Sequence, residues 1–86
     1  MTDWRYIVLK PAQRYLERLR PDDQSRLINA LSVLLIEPSR VDLKPLKGLS
    51  GWRLRVGDYR VLLQIDREAK LFIVTRIGPR GDVYKG

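Results

Sequence analysis

The segment "WRLRVGDYRVLLQID", residues 52–66, limits the fold more strongly than any other part of the sequence. Gly57 and Asp58 form a candidate two-residue hairpin turn, and folding the segment there places Arg55 opposite Arg60. Directly opposed residues of an antiparallel pair share one face of the sheet. One face is then wholly apolar and consists of Trp52, Leu54, Val56, Tyr59, Val61 and Leu63. The hairpin is therefore predicted to belong to a sheet that is covered on its apolar side.

The opposite face of this hairpin carries Arg53, Arg55 and Arg60. One or two arginines on a solvated sheet face are ordinary solubilising residues. Three arginines on one hairpin, two of them opposed, are different, because opposed like charges destabilise a hairpin. Since the apolar face must meet the rest of the core, we expect the arginine face to point toward solvent or a ligand.

Composition limits the classes of partner. The 86 residues make one small domain, residues 1–86, and the content of 44% hydrophobic and 31% charged residues is typical of a folded chain. Seventeen Lys and Arg against ten Asp and Glu give a net charge of +7. Such a charge favours polyanionic partners, among them nucleic acid, an anionic membrane surface or an acidic protein.

The chain contains no cysteine and no histidine. A disulfide framework and a thiolate or imidazole metal site are therefore excluded, and we expect neither a metal nor a cofactor. The start "MTDWRYIV" lacks the pattern of a signal peptide, and the apolar run "ALSVLLI" is too short to span a bilayer. The expected location is the cytoplasm, without membrane association.

The remaining pattern predicts an α+β fold. Residues 4–9 form the first strand, residues 11–19 the first helix and residues 22–37 the second, each helix having apolar residues at helical spacing. A loop over residues 39–51 leads into the arginine hairpin, and the run 71–77 is predicted as a strand covered on both faces. The result is one four-stranded sheet: an N-terminal strand, a helical hairpin and a three-stranded antiparallel meander, with the helices on one face.

Two short motifs are weak candidates for other chemistry. The segment "EAK" at residues 68–70 matches part of a metal-dependent nuclease motif. Such a site needs a second carboxylate placed by a strand end, whereas the acidic residues here are scattered singly through loops and helix starts, so a turn is expected. The segment "KGLSG" at residues 47–51 has too few glycines for a phosphate loop.

The tail of the chain carries Arg80 and Tyr84, which follow Gly78 and Pro79 and can fold toward the arginines of the hairpin. Tyr84 could stack there on a base, or it could simply close the edge of the core.

The ordered set "LKGLSGWRLRVGDYRVLLQID" and "IGPRGDVYK" resembles the RelE branch of the RelE/ParE toxin superfamily, over essentially the whole chain. The resemblance implies a toxin of a type II toxin–antitoxin system. It further implies a metal-independent endoribonuclease that cuts messenger RNA in the ribosomal A site, through attack of a ribose 2′-OH on its own phosphate, and so inhibits translation.

The resemblance also implies roles for individual residues. Arg53 and Arg55 correspond to basic residues that contact the scissile phosphate, and Arg60 to the arginine of a Tyr-Arg pair. Arg80 corresponds to the basic residue before the final motif, and Tyr84 to a tyrosine that stacks on the nucleotide. Lys44 and Lys47 are expected to hold ribosomal RNA.

The chain departs from its relatives at Pro79, where many of them carry histidine. Because arginine keeps its proton, Arg53 and Arg55 are poor general bases, and two possibilities stay open: Tyr84 acts as the base, or the protein only positions the RNA with help from the ribosome. Two alternatives stay open: a ParE-like poison of DNA gyrase, and a basic RNA-binding module without catalysis.

The implied partners are a cognate acidic antitoxin, the 70S ribosome and A-site messenger RNA. Operator DNA would be bound only through the antitoxin complex, and the free toxin is expected to be a monomer.

Overall fold

The computed structural model describes residues 3–48 and 50–80. The elements are β1 (Arg5–Val8), α1 (Lys10–Glu17), α2 (Pro21–Ile36), a 3₁₀ turn (Pro38–Arg40), β2 (Asp42–Pro45), β3 (Trp52–Val56), β4 (Tyr59–Asp66) and β5 (Leu71–Pro79). The predicted α+β class, the element order and the helical hairpin are confirmed. Helix and strand ends differ from the predictions by at most two residues.

The sheet has five strands rather than the predicted four, in the order β1-β5-β4-β3-β2. The additional strand is β2, which lies in the segment that was predicted to be a loop. Lys44 pairs with Arg53 and Asp42 pairs with Arg55, in antiparallel register. The segment is short and contains a proline and two glycines, so its sequence pattern is that of a loop. Backbone pairing with the edge of β3 makes it a strand.

The helices cover one face of the sheet. Helix α1 buries Ala12 and Leu16, and α2 buries Leu27, Leu31 and Leu34. They meet the buried sheet residues Leu54, Val56, Val61, Leu63, Phe72, Val74 and Ile77. Ile28 of α2 does not join this core and is 44% exposed.

Strand β5 corrects a second expectation. The run 71–77 was predicted to be covered on both faces, but burial alternates along it. Phe72 and Val74 are buried, whereas Leu71 and Ile73 are only partly covered. Helices pack on one side of the sheet only, so the apolar side chains on the other side stay half-buried. No helix within the described parts of the chain combines the length and the apolar character that crossing a bilayer requires.

Gln24 and Tyr59 hold the helices to each other and to the sheet. The Gln24 side chain donates to the carbonyl oxygens of Leu19, at 3.0 Å, and Glu17, at 3.3 Å, at the corner between α1 and α2. The Tyr59 hydroxyl donates to Asp23 at 3.0 Å, and its ring meets Tyr15 edge to face. This hydrogen bond to the Asp23 carboxylate is the main reason why the pKa of Tyr59 is raised above its ordinary value, and desolvation adds to the shift.

The raised pKa of Tyr59 predicts a specific loss of stability in alkali. Below about pH 10 both the folded and the unfolded chain keep the phenol protonated, and the contribution is complete. As the pH rises further, the unfolded chain ionises first, so this contribution falls as the pH moves up through the folded pKa. In urea titrations from pH 8 to 11, the parent should lose stability more steeply than Tyr59→Phe. The control is Tyr6→Phe, since the Tyr6 hydroxyl makes no hydrogen bond with the described residues. This variant should lose stability as steeply as the parent. A loss as shallow as that of Tyr59→Phe would contradict the assignment of the effect to the Tyr59–Asp23 hydrogen bond.

Gly51 and Gly48, in the connection between β2 and β3, give a stability test with a matched control. Gly51 has a φ of +105°, and an added Cβ would lie 2.9 Å from Nε2 of Gln64 and 3.1 Å from the Leu63 carbonyl oxygen. Gly48 also has a positive φ, +71°, but nothing lies within 4 Å of its Cβ position. We expect Gly48→Ala to cost about 1 kcal/mol of unfolding free energy and Gly51→Ala roughly twice that. Equal costs in urea denaturation would show that backbone conformation alone restricts Gly51.

Candidate nucleic-acid interface

The β3–β4 hairpin has the predicted register. Val56 lies opposite Tyr59, Arg55 opposite Arg60, and Arg53 opposite Leu62. Gly57, the first turn residue, has a φ of +56°, and Asp58 does not have a positive φ. This is the pattern of a type II′ turn, which matches the twist of the two strands and requires glycine at its first central position. The turn therefore determines which side chains share the open face of the sheet.

Two rows of side chains cross the open face. The first row runs through Lys44, Arg53, Leu62 and Arg76, and the second through Asp42, Arg55, Arg60 and Gly78. Neighbouring strands lie about 4.8 Å apart, so the cations of one row are within reach of a single polyanion. These two rows are called the basic face below. They bring together three of the predicted arginines and Lys44.

Arg76 was missed by the sequence analysis. It lies opposite Leu62 and next in line after Arg53. It belongs to the largely apolar run 71–77. The presence of a charged residue inside such a run was a signal in the sequence that one face of this strand is open. The register shift between Leu62 and Leu63 leaves Thr75 as an extra residue, whose hydroxyl donates to the Leu62 carbonyl oxygen at 3.2 Å. This bulge sets the position of Arg76 on the open face.

Arg60 lies on the predicted face but is not exposed. Only 5% of its surface is accessible, and Nη1 donates to the carbonyl oxygens of Gly57 and Tyr59, both at 2.9 Å. The guanidinium folds back on the hairpin turn, and its neighbour on β5 is Gly78, which has no side chain to compete for the space. Within the described residues, Arg60 is the only buried charged side chain, and no carboxylate forms an ion pair with it.

Arg53 has a different environment from Arg55. The Arg53 Nη2 atom lies 3.5 Å from Oδ1 of Asp42, and the Arg53 side chain is 18% exposed. Asp42 is the direct cross-strand neighbour of Arg55, yet its carboxylate is engaged diagonally by Arg53. Arg55 is exposed and forms no ion pair with the residues that the structure describes. On β3, the basic face thus holds the paired and mostly covered Arg53 and the exposed Arg55, which has no ion pair among the described residues.

Arg80 is anchored beside the hairpin. Its backbone N–H donates to the Asp58 carbonyl oxygen at 2.9 Å, which brings the end of β5 to the turn between β3 and β4. The exposed Arg80 side chain thus starts next to the basic face. Lys47 is exposed in the turn after β2, beyond Lys44. Tyr84 lies outside the described residues, so its predicted position is not tested.

The chemistry available on the basic face is charge neutralisation. Arginine presents several N–H donors in a fixed fork that matches the oxygens of a phosphate, and it stays protonated at any ordinary pH. Within residues 3–48 and 50–80, no three His, Cys, Asp or Glu side chains form a group that could hold a metal ion.

Sequence comparison assigns the family. Residues 6–84 match the model of the ParE toxin of type II toxin–antitoxin system, parDE, and the chain belongs to this toxin family. No curated protein matches the sequence.

Solved structures refine this assignment. The chain is similar to the RelBE2 toxin–antitoxin complex of Mycobacterium tuberculosis, at 31% identity and a TM-score of 0.77, over 90% of this chain and 98% of that one. It is also similar to the RelE–RelB complex of Pyrococcus horikoshii, at 27% identity and a TM-score of 0.75, over 95% and 99%. The isolated Escherichia coli RelE toxin, 21% identical, has the same fold with a TM-score of 0.73, over 95% and 92%. These neighbours support the RelE branch of the RelE/ParE superfamily.

The opposition of Arg55 and Arg60 predicts that the basic face lowers the stability of the isolated protein. Replacing Arg55 by threonine removes the repulsion, and we expect a gain of about half a kcal/mol at low salt. The gain should shrink at high salt, because screening already weakens the repulsion in the parent. Urea denaturation at both salt concentrations measures it.

Arg76→Thr is the matched control for this prediction. It makes the same change on the same face, but Arg76 lies opposite the apolar Leu62 and has no directly opposed cation. A loss of stability in Arg55→Thr at low salt would mean that attraction to Asp42 outweighs repulsion by Arg60.

Proposed function

We propose that this protein is an endoribonuclease toxin that cuts messenger RNA in the A site of the 70S ribosome and thereby stops translation. The observation that carries the proposal is the exposed Arg55, which lies directly opposite the buried Arg60; neither arginine forms an ion pair with a carboxylate of the described residues. A buried cation next to a second cation is costly unless an anion offsets it. The phosphodiester backbone of RNA is an anion of suitable geometry and charge.

The proposed reaction needs two contributions from the protein. The ribose 2′-oxygen loses its proton and attacks the adjacent phosphorus, the bond to the 5′-oxygen breaks, and that oxygen takes up a proton, so that a 2′,3′-cyclic phosphate and a 5′-hydroxyl form. The protein must hold the backbone for in-line attack and neutralise the charge that develops on the phosphate. We assign the phosphate contacts to Arg53, Arg55 and Arg80, with Arg76 as an additional contact, and the buried Arg60 adds its positive charge from behind them.

The proton of the 2′-hydroxyl must go to another group, because an arginine does not accept it. Tyr84 remains our candidate for stacking on the nucleotide, and either its hydroxyl or a ribosomal group would act as base. Lys44 and Lys47 would contact ribosomal RNA. A site that supplies charge without a strong base should depend on the ribosome to orient its substrate.

The proposal includes a protein partner and a location. Several of the solved neighbours, among them those of Mycobacterium tuberculosis and Pyrococcus horikoshii, are toxin–antitoxin complexes. We infer that an acidic antitoxin covers the basic face of this chain, and that the toxin acts in the cytoplasm, where its ribosomal substrate is found.

Cleavage of ribosome-bound and free message by the purified protein tests this function. Message on programmed ribosomes should be cut within codons, whereas the same RNA without ribosomes should be almost untouched. Arg55→Ala should lower the rate of cleavage about a hundredfold, as expected for one donor to a developing oxyanion. Arg14→Ala, an exposed arginine of α1 far along the chain from the hairpin, is the matched control and should cleave like the parent. Arg60→Ala is less informative, because Arg60 is buried and its loss also weakens the hairpin turn.

Three results would contradict the proposal. Equal cleavage of free and ribosome-bound RNA would remove the ribosome from the mechanism. Inhibition of DNA gyrase supercoiling without cut messages would identify a gyrase poison, the activity suggested by the family's ParE members. Binding of RNA with no new 5′ ends in induced cells would leave a non-catalytic RNA-binding module.

A further inference from the structure

A pocket lies on the helix side of the sheet, at the end that is opposite the β3–β4 hairpin turn. It is bounded by Leu34 and Leu35 at the end of α2 and by Trp52 at the start of β3, and its volume is about 280 Å³. The basic face lies on the other side of the sheet, so the pocket is separate from the proposed RNA site. None of the functions assigned above uses it.

Three aromatic side chains line the pocket. The rings of Trp4 and Phe72 pack with their centroids 4.9 Å apart and a tilt of 36°, and Trp52 is the third. The rest of the apolar lining is aliphatic and includes Leu43 and Ile65. A planar ring packs well among such side chains, because aromatic rings gain from edge-to-face and offset contacts in addition to the burial of apolar area. An aromatic ligand is therefore favoured over a purely aliphatic one.

The volume of the pocket sets the size of the ligand. An apolar cavity of about 150 Å³ accepts a single benzene ring. The pocket in this protein is close to twice that volume, at about 280 Å³. It therefore has room for two fused rings but not for a large cofactor.

Arg67 is the only charged residue that lines the pocket within the described parts of the chain. Its exposed side chain forms no ion pair there. Two acidic neighbours share the turn after β4 with it. Asp66 accepts the Ala69 backbone N–H at 3.0 Å, and Glu68 is exposed; neither forms an ion pair with Arg67.

Three other acidic residues adjoin residues of the pocket along the chain. Each of them forms an ion pair with a cation other than Arg67, and the pairs are Asp3 with Lys70 at 3.4 Å, Glu37 with Arg40 at 3.7 Å and Asp42 with Arg53 at 3.5 Å. Arg67 is thus a cation at the edge of an apolar pocket without a carboxylate partner among the described residues. An anionic group on a ligand would supply that partner.

We propose that this pocket binds a small planar aromatic carboxylate. The rings would lie among the aromatic and aliphatic side chains, where burial of apolar area supplies most of the affinity. The carboxylate would accept charge-assisted hydrogen bonds from the Arg67 guanidinium. The inference goes beyond the proposed function and does not rest on it, because it concerns the other side of the sheet.

Titration of the ¹⁵N-labelled full-length protein with 2-naphthoate tests the binding. The chain has two tryptophans, and both line the pocket, so both indole N–H signals should shift in a saturable way. The comparison ligand 2-naphthamide keeps the two rings without the charge and should bind about tenfold more weakly, the loss expected for one charge-assisted pair. Octanoate keeps the charge without the rings and should also bind more weakly than 2-naphthoate.

Two variants test the assigned residues. Arg67→Ala should weaken 2-naphthoate about tenfold and leave 2-naphthamide unchanged. Arg14→Ala removes the same charge from an exposed site on α1 and should leave both affinities unchanged. Leu35→Trp adds a larger side chain to the lining, so 2-naphthoate should no longer shift the signals of the native tryptophans, while the variant unfolds at the temperature of the parent or above it.

Four results would overturn the proposal. Absence of a saturable shift in the indole signals would mean that the pocket does not take the ligand. Equal affinities for 2-naphthoate and 2-naphthamide would remove the carboxylate from recognition, and octanoate binding as tightly as 2-naphthoate would remove the aromatic ring. Equal losses in Arg67→Ala and Arg14→Ala would mean that the ligand is attracted only by the net charge of the protein.

Discussion

The register of the β3–β4 hairpin is the constraint on which the rest of the structure depends. Gly57 adopts a positive φ that a side chain disfavours, and the resulting two-residue turn fixes which residues of the two strands are opposed. A shift by one residue would turn Leu54 and Val61 away from the helices and carry the arginines into the core. Because the apolar face is buried and the opposite face is charged, both the stability of the core and the composition of the basic face depend on this one turn.

The charges of the basic face are not equivalent, and their differences come from local partners. Arg53 is held by Asp42, Arg60 is buried against the carbonyl groups of the turn, and Arg55 has no ion pair among the described residues. Of these three arginines, Arg55 is therefore the most available to a ligand.

The sequence by itself determined the hairpin, its register and the helical pair, because each depends on neighbours in the chain: a glycine turn, period-two alternation and apolar residues at helical spacing. It also predicted the family and the basic character of the face. Only the tertiary structure decided that β2 is a strand, since its pairing with β3 replaces the weak local preference of a proline-containing segment. It also decided that Arg60 is buried and that Arg76 joins the face. Both outcomes depend on contacts across the sheet: Gly78 lies beside Arg60, and the bulge at Thr75 against Leu62 sets the side on which Arg76 lies.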